Sequence, residues 1–156
     1  MTTAASTRRL LFVCTGNLHR SVMAAAIAGG MFEELGDQGP HVLISSASAL
    51  GLHGRPAPPE VVTVCAELGL DVSHHRSQPL TRSLIQHANQ IIVMADVHAG
   101  RVLELDPDAE PRILHLGDYH EPPGDIHDPI GESLEGFRAS RDGILAALQR
   151  LLPELL

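Results

Sequence analysis

Four short apolar runs alternate with stretches of helical periodicity, and that alternation constrains this chain more than any other feature. Residues 10–13, 42–46, 90–94 and 112–116 are rich in Leu, Ile and Val. Apolar residues at successive positions mark strands covered on both faces. After the first run, 21–35 places Met23, Ile27, Met31 and Leu35 on one helical face, with Gly36 as its stop. Gly29 and Gly30 interrupt it at about 1 kcal/mol each relative to Ala, and close packing on the sheet is the expected reason. A second helix is predicted over 59–68, with Val61, Val64, Cys65 and Leu68 inward and Gly69 beyond. A short helix over 80–88 and another over 97–105, capped by Asp96, follow. Ser133 caps a last helix to Leu152, with Leu134, Phe137, Arg141, Ile144, Leu145, Leu148 and Leu152 along one side. Strand and helix alternate throughout, so the expectation is an α/β fold: one four-stranded, parallel, doubly wound sheet with helices on both faces. Such sheets bind ligands beyond the carboxyl ends of their strands.

The 156 residues suit one domain, expected over 9–153 behind a flexible N-terminus at 1–8. With 11 basic and 19 acidic residues the formal net charge is −8, which argues against a nucleic-acid surface. All the basic residues are Arg, so one small basic pocket is still compatible with that balance. Two cysteines, Cys14 and Cys65, can build neither a disulfide framework nor a four-thiolate zinc site. No histidine pair stands at i, i+4 beside a carboxylate, so no metal and no cofactor are expected. The first apolar run is too short for a signal core or a membrane span. A cytoplasmic monomer without membrane contact is the simplest expectation, and a free thiol suits a reducing compartment.

The chemistry concentrates in Cys14-Thr15-Gly16-Asn17-Leu18-His19-Arg20-Ser21, between the first strand and the first helix. A nucleophile five residues before an Arg can wrap a loop around one tetrahedral oxyanion, with successive N–H groups pointing inward. The following helix adds unpaired N–H groups and a positive dipole end. Arg20 supplies a planar fork for two oxygens. The same field favours the Cys14 thiolate, poised to attack phosphorus. Gly16 permits the turn, Asn17 can brace the loop, and Ser21 can donate to the thiolate. On residue types alone, Asp118, Asp125 and Asp128 compete for the role of an acid, because ten of the acidic residues lie between Glu104 and Glu135.

Residues 11–21, with Met23-Ala24 after them, resemble the low-molecular-weight protein tyrosine phosphatases. Ser46-Ala47, the segment 69–73 with His75-Arg76, the third apolar run and Asp125-Ile126-His127-Asp128-Pro129 continue the likeness over most of the chain. The resemblance implies a phosphotyrosine protein phosphatase I-like, flavodoxin-like fold. It implies hydrolysis of phosphotyrosine-type esters through a phosphocysteine at Cys14. Arg20 would clamp the oxyanion, and Asp128 would be general acid and then general base. Thr15, Gly16, Asn17, Leu18, His19 and Ser21 would hold the phosphate, with Ser46 and His75 as supporting hydrogen-bond partners. The substrate would be a phosphorylated protein or a small phosphorylated metabolite. Turnover should peak on the acidic side of neutral, since an ionised Cys14 and a protonated Asp128 are both required.

The sequence departs from that family in two places. A second Cys commonly precedes the Arg, where this chain has His19, so the protective disulfide cannot form. Relatives also carry aromatic walls at the mouth. Here the wall would come from Leu50, Leu52, His53, Tyr119 and Ile130, with Tyr119 the one aromatic near the acid loop. Relatives acting on phosphoarginine carry Thr where Leu18 stands, which favours an ester. Three other functions compete. An arsenate reductase coupled to a small thiol would need only Cys14. A sugar-transport phosphocarrier would not be expected to carry Arg20 and Asp128. A non-catalytic phosphate-binding module would bind without turnover.

Overall fold

The computed structural model describes residues 7–156. Four parallel strands form one sheet: β1 (Arg8–Cys14), β2 (Val42–Ser48), β3 (Gln90–Val93) and β4 (Ile113–His115). Five α-helices connect and cover them: α1 (Arg20–Leu35), α2 (Pro59–Ala66), α3 (Arg82–His87), α4 (Asp96–Leu105) and α5 (Leu134–Leu155). The strand order is β2-β1-β3-β4. The chain therefore runs outward from β1 to β2, crosses back over β1 and continues on its other side. This reversal opens a crevice beyond the carboxyl ends of β1 and β3, the binding position of doubly wound sheets.

Alternation along β1 decides which helix packs where. Leu10, Phe12 and Cys14 face a core shared with α1, α2 and α5, whereas Leu11 and Val13 face the layer of α3 and α4. Every residue from Leu10 to Cys14 is buried, as continuous apolar character predicts for a central strand. The expected single-domain, two-face architecture is the one found.

Several boundaries differ from the sequence expectation. Residues 1–6 of the expected N-terminal segment lie outside the described residues, but Arg8 is already in β1, and its guanidinium donates to the Leu155 carbonyl at 3.1 Å. The helix expected to stop at Leu152 runs to Leu155, because its last turns pack on that same core. β2 continues past Ser46 to Ser48, pairing with β1 as far as Cys14. Asp96 opens α4 as its first residue instead of capping it, and its carboxylate pairs with His115. The Ser133 side chain makes no capping bond. Gly30 is small for a reason other than the sheet: a Cβ there would lie 3.0 Å from Leu70, which follows α2. Arg141, an arginine on the inward side of α5, donates to the Val64 carbonyl and to Glu67 at the end of α2. Glu67 is held well below the usual carboxylate range, at about 2, by hydrogen bonds from Arg138 and Arg141.

Candidate active site

Cys14 ends β1, and residues 15–19 curl over it before Arg20 opens α1. Asn17 takes the left-handed conformation in this curl (φ 55°), which few residues other than Gly and Asn adopt without strain. It is fully buried, and both polar atoms of its side chain have partners. Nδ2 donates to Ser21 Oγ at 2.9 Å and Oδ1 accepts from the Gln78 amide at 3.1 Å. Its carbonyl accepts from His75 Nε2 at 2.7 Å, so that nitrogen carries the proton, and burial pushes the His75 pKa down and keeps the ring neutral. Ser21 Oγ lies 2.9 Å from Cys14 Sγ. Since Asn17 already donates to that oxygen, the Ser21 hydroxyl proton is free to point at the sulfur, the geometry that stabilises a thiolate. Gly16, expected to permit the turn, is not its left-handed residue. It is small because a Cβ there would stand 3.3 Å from Leu52.

Arg20 is buried, and its fork is partly committed. Nη1 donates to the Ile126 carbonyl at 2.9 Å, while Nη2 reaches Thr15 Oγ1 at 3.3 Å and Asp128 Oδ2 at 3.5 Å. Ile126 in turn anchors the acid loop: its side chain is buried, and its amide donates to the Met94 carbonyl at the end of β3. Asp128 is thereby set across the loop from Cys14. Neither rival carboxylate joins Asp128 in lining the cleft over Cys14. Asp125 Oδ1 accepts from the Asp96 amide at 3.0 Å, and Asp118 stays exposed in the turn after β4. His19 Nδ1 stands 3.3 Å from Asp128 Oδ1, with its ring edge-on to Phe137 of α5.

One expected partner is replaced by a neighbour. Ser46 contributes only its carbonyl, which accepts from Gln78 Nε2. Ser48 supplies the hydroxyl: it donates to the Thr15 carbonyl at 2.7 Å and accepts from the Gly51 and Leu52 amides. That one side chain draws the 49–52 segment onto the loop. A cleft of about 150 Å³ results, walled by Leu18, Leu50, Leu52 and Ile130 over Cys14 and Arg20. Leu50 and Ile130 are in the wall, 70% and 69% exposed. His53 and Tyr119 are not. His53 is exposed one residue beyond Leu52, and the Tyr119 hydroxyl is turned away to Glu154 on α5.

His98 was not anticipated as part of the site. It lies on α4, 1% exposed, with Nε2 2.9 Å from Thr15 Oγ1 and its Nδ1 buried without a protein partner. Burial, reinforced by the Arg20 charge, holds its pKa down at about 4, so the ring is neutral near pH 7. Thr15 Oγ1 thus joins a neutral imidazole to the guanidinium. Only the fold could reveal this, because a single His in a short amphipathic helix carries no signal of its own. Among the described residues, no three His, Cys, Asp or Glu side chains are grouped to hold a metal ion.

Comparison with known proteins agrees with this geometry. The family described as low molecular weight phosphotyrosine protein phosphatase matches residues 9–156. The chain is 35% identical over 114 residues to a probable low molecular weight protein-tyrosine-phosphatase EpsP of Ralstonia solanacearum, covering 73% of this chain and 74% of the relative. It is 34% identical over 155 residues to a protein-arginine-phosphatase of Geobacillus stearothermophilus, covering 94% and 95%. The crystal structure of the low molecular weight protein tyrosine phosphatase from T. tengcongensis superposes with a TM-score of 0.86 at 30% identity, covering 94% of this chain and 99% of that one. On that coverage, the chain belongs to the low molecular weight protein tyrosine phosphatase family.

Proposed function

We propose that the protein hydrolyses phosphotyrosine-type esters through a phosphocysteine. The observation that carries this reading is the facing arrangement of Cys14 Sγ, bonded to Ser21 Oγ at 2.9 Å, and Asp128, whose Oδ2 lies 3.5 Å from Arg20 Nη2. The ester phosphoryl group sits in the loop, its charge met by loop amides and Arg20. Cys14 attacks phosphorus as the P–O bond to the leaving group breaks, and Asp128 gives its proton to the departing oxygen. Asp128, now a carboxylate, takes a proton from water. That water attacks phosphorus, the S–P bond breaks, and inorganic phosphate and the Cys14 thiolate are regenerated.

The wall favours an ester over a phosphoguanidine. Leu18, Leu50, Leu52 and Ile130 offer no acceptor to the N–H groups of a guanidinium, whereas a flat apolar ring loses nothing by contact with them. The reading therefore places a phosphorylated tyrosine side chain of a protein in the cleft, with a small aryl phosphate as the second substrate class. The protein is assigned to the cytoplasm as a monomer. A free Cys14 suits a reducing compartment, and no helix among the described residues is long and apolar enough to cross a membrane.

The test is hydrolysis of an aryl phosphate by the unmodified protein and by Cys14→Ser, with chelator present, alongside a phosphoarginine peptide and arsenate with a small thiol. Aryl phosphate turnover that vanishes in the variant supports the reading. Turnover of phosphoarginine alone, or reduction of arsenate alone, replaces it with the corresponding chemistry.

A further inference from the structure

We infer that His19 is a positioning residue for the general acid: it fixes which oxygen of Asp128 carries the catalytic proton. The inference rests on the phosphatase reading above. The two oxygens of Asp128 have different surroundings. Oδ1 is held by His19 Nδ1 at 3.3 Å and by the Ile130 amide at 3.1 Å. Oδ2 has one neighbour, Arg20 Nη2, at 3.5 Å. The amide can only donate, so Oδ1 is the accepting oxygen of the pair. A His19 proton on Nδ1 makes the second bond to the same atom.

An oxyanion in the loop takes up the Arg20 fork and frees Oδ2, which already points toward the loop. The proton for the leaving group then sits on Oδ2, while Oδ1 stays tethered. Without the His19 tether, one amide bond alone opposes rotation of a carboxyl group whose side chain is 33% exposed. A carboxyl that rotates spends part of its time with the proton aimed away from the leaving oxygen, and misaimed proton transfer slows catalysis.

His19 is itself held firmly enough to serve as a tether. Its side chain is 15% exposed, and its ring meets Phe137 edge-on at 5.5 Å and 81°. Phe137 is 3% exposed and belongs to the core under α5. His19 thus ties together the oxyanion loop, α5 and an acid loop more than a hundred residues away in sequence.

The experiment compares kcat/KM for para-nitrophenyl phosphate, whose leaving group needs little protonation, with phenyl phosphate, whose leaving group needs much. His19→Ala should lower the phenyl phosphate value about tenfold and the para-nitrophenyl value about twofold, a tenfold loss being one hydrogen bond's worth of orientation. His19→Asn, whose Nδ2 can stand where Nδ1 stood, should recover most of the selective loss. In an Asp128→Asn background the change at His19 should no longer alter the ratio of the two esters, because the group it positions is gone. Equal losses on both esters overturn the inference, as does a ratio that still shifts in the Asp128→Asn background. A matching loss of inhibition by inorganic phosphate also overturns it, since that would place His19 in oxyanion binding. If the unmodified protein hydrolyses neither ester, the phosphatase reading fails and this inference with it.

Discussion

Acidification should weaken the fold through His98, and the size of the effect can be worked out from its surroundings. The ring is 1% exposed, bonded to Thr15 at 2.9 Å, and close enough to Arg20 for the guanidinium charge to oppose a second cation. Asp125 and Asp128 pull the other way, but burial and Arg20 dominate and hold the folded pKa at about 4, against 6.5 for an ordinary histidine. The folded protein therefore excludes a proton that the unfolded chain takes up below about pH 6.5. Stability from this group is complete above that pH and is lost as pH falls toward 4. Linkage across that window gives about 1–2 kcal/mol lost between pH 7 and pH 5. His98→Gln removes the titration while keeping an N–H in reach of Thr15. Urea unfolding of both proteins at the two pH values isolates the term, since His75, shifted in the same direction by burial, is common to both. The stability advantage of the unmodified protein should shrink by that amount at pH 5. An advantage that is the same at both pH values would mean that His98 takes up its proton as readily folded as unfolded, and the argument from burial would be wrong.

Three further outcomes test the site. Asn17→Ala puts in the left-handed region a residue that tolerates it less well than Asn, and removes two side-chain bonds of the loop, so it should cost about 3 kcal/mol or more. Asn17→Gly restores the backbone freedom and should be about 1 kcal/mol less severe, as thermal unfolding would show; equal losses would remove the conformational part of the account. Asp128→Asn should slow phenyl phosphate about 10²–10⁴-fold and para-nitrophenyl phosphate far less, and equal slowing would take Asp128 out of the acid role. Prolonged peroxide should oxidise Cys14 past the sulfenic acid to states that thiol reductants cannot reverse. His19 offers no sulfur beside the loop, and burial pushes the Cys65 thiol up to about 11, leaving it unreactive. Full recovery of activity after dithiothreitol would refute this, since it would mean that oxidation stops at a reversible level.

The parts of this protein legible in its sequence are those fixed by local periodicity. Apolar strands separated by amphipathic helices dictate a parallel sheet, and the loop from Cys14 to Ser21 announces itself because nucleophile, Gly, Asn and guanidinium are near neighbours. What escaped depends on where an element ends and what crosses it. Ser46 and Ser48 lie two residues apart in one strand, so period-two reasoning cannot separate them; pairing of β2 with β1 up to Cys14 brings Ser48 to the loop. Tyr119 looked like a wall residue because it is the aromatic nearest the acid loop, but the turn after β4 directs its hydroxyl to Glu154. Arg141 could be placed inward from helical spacing, though what makes burial tolerable there, Glu67 and the Val64 carbonyl, comes from a helix 74 positions earlier. His98 and His19 are the sharpest cases. His98 is one histidine among ten with nothing local to set it apart, whereas His19 stands out in the loop but its contact with Asp128 does not. Each matters because the strand order brings the end of β3, with α4 and the acid loop that follow it, beside the loop that ends β1. The doubly wound topology therefore does more than present Cys14. It supplies the second side of the site, where a neutral imidazole meets Thr15 on the guanidinium side and a carboxylate meets His19 on the acid side.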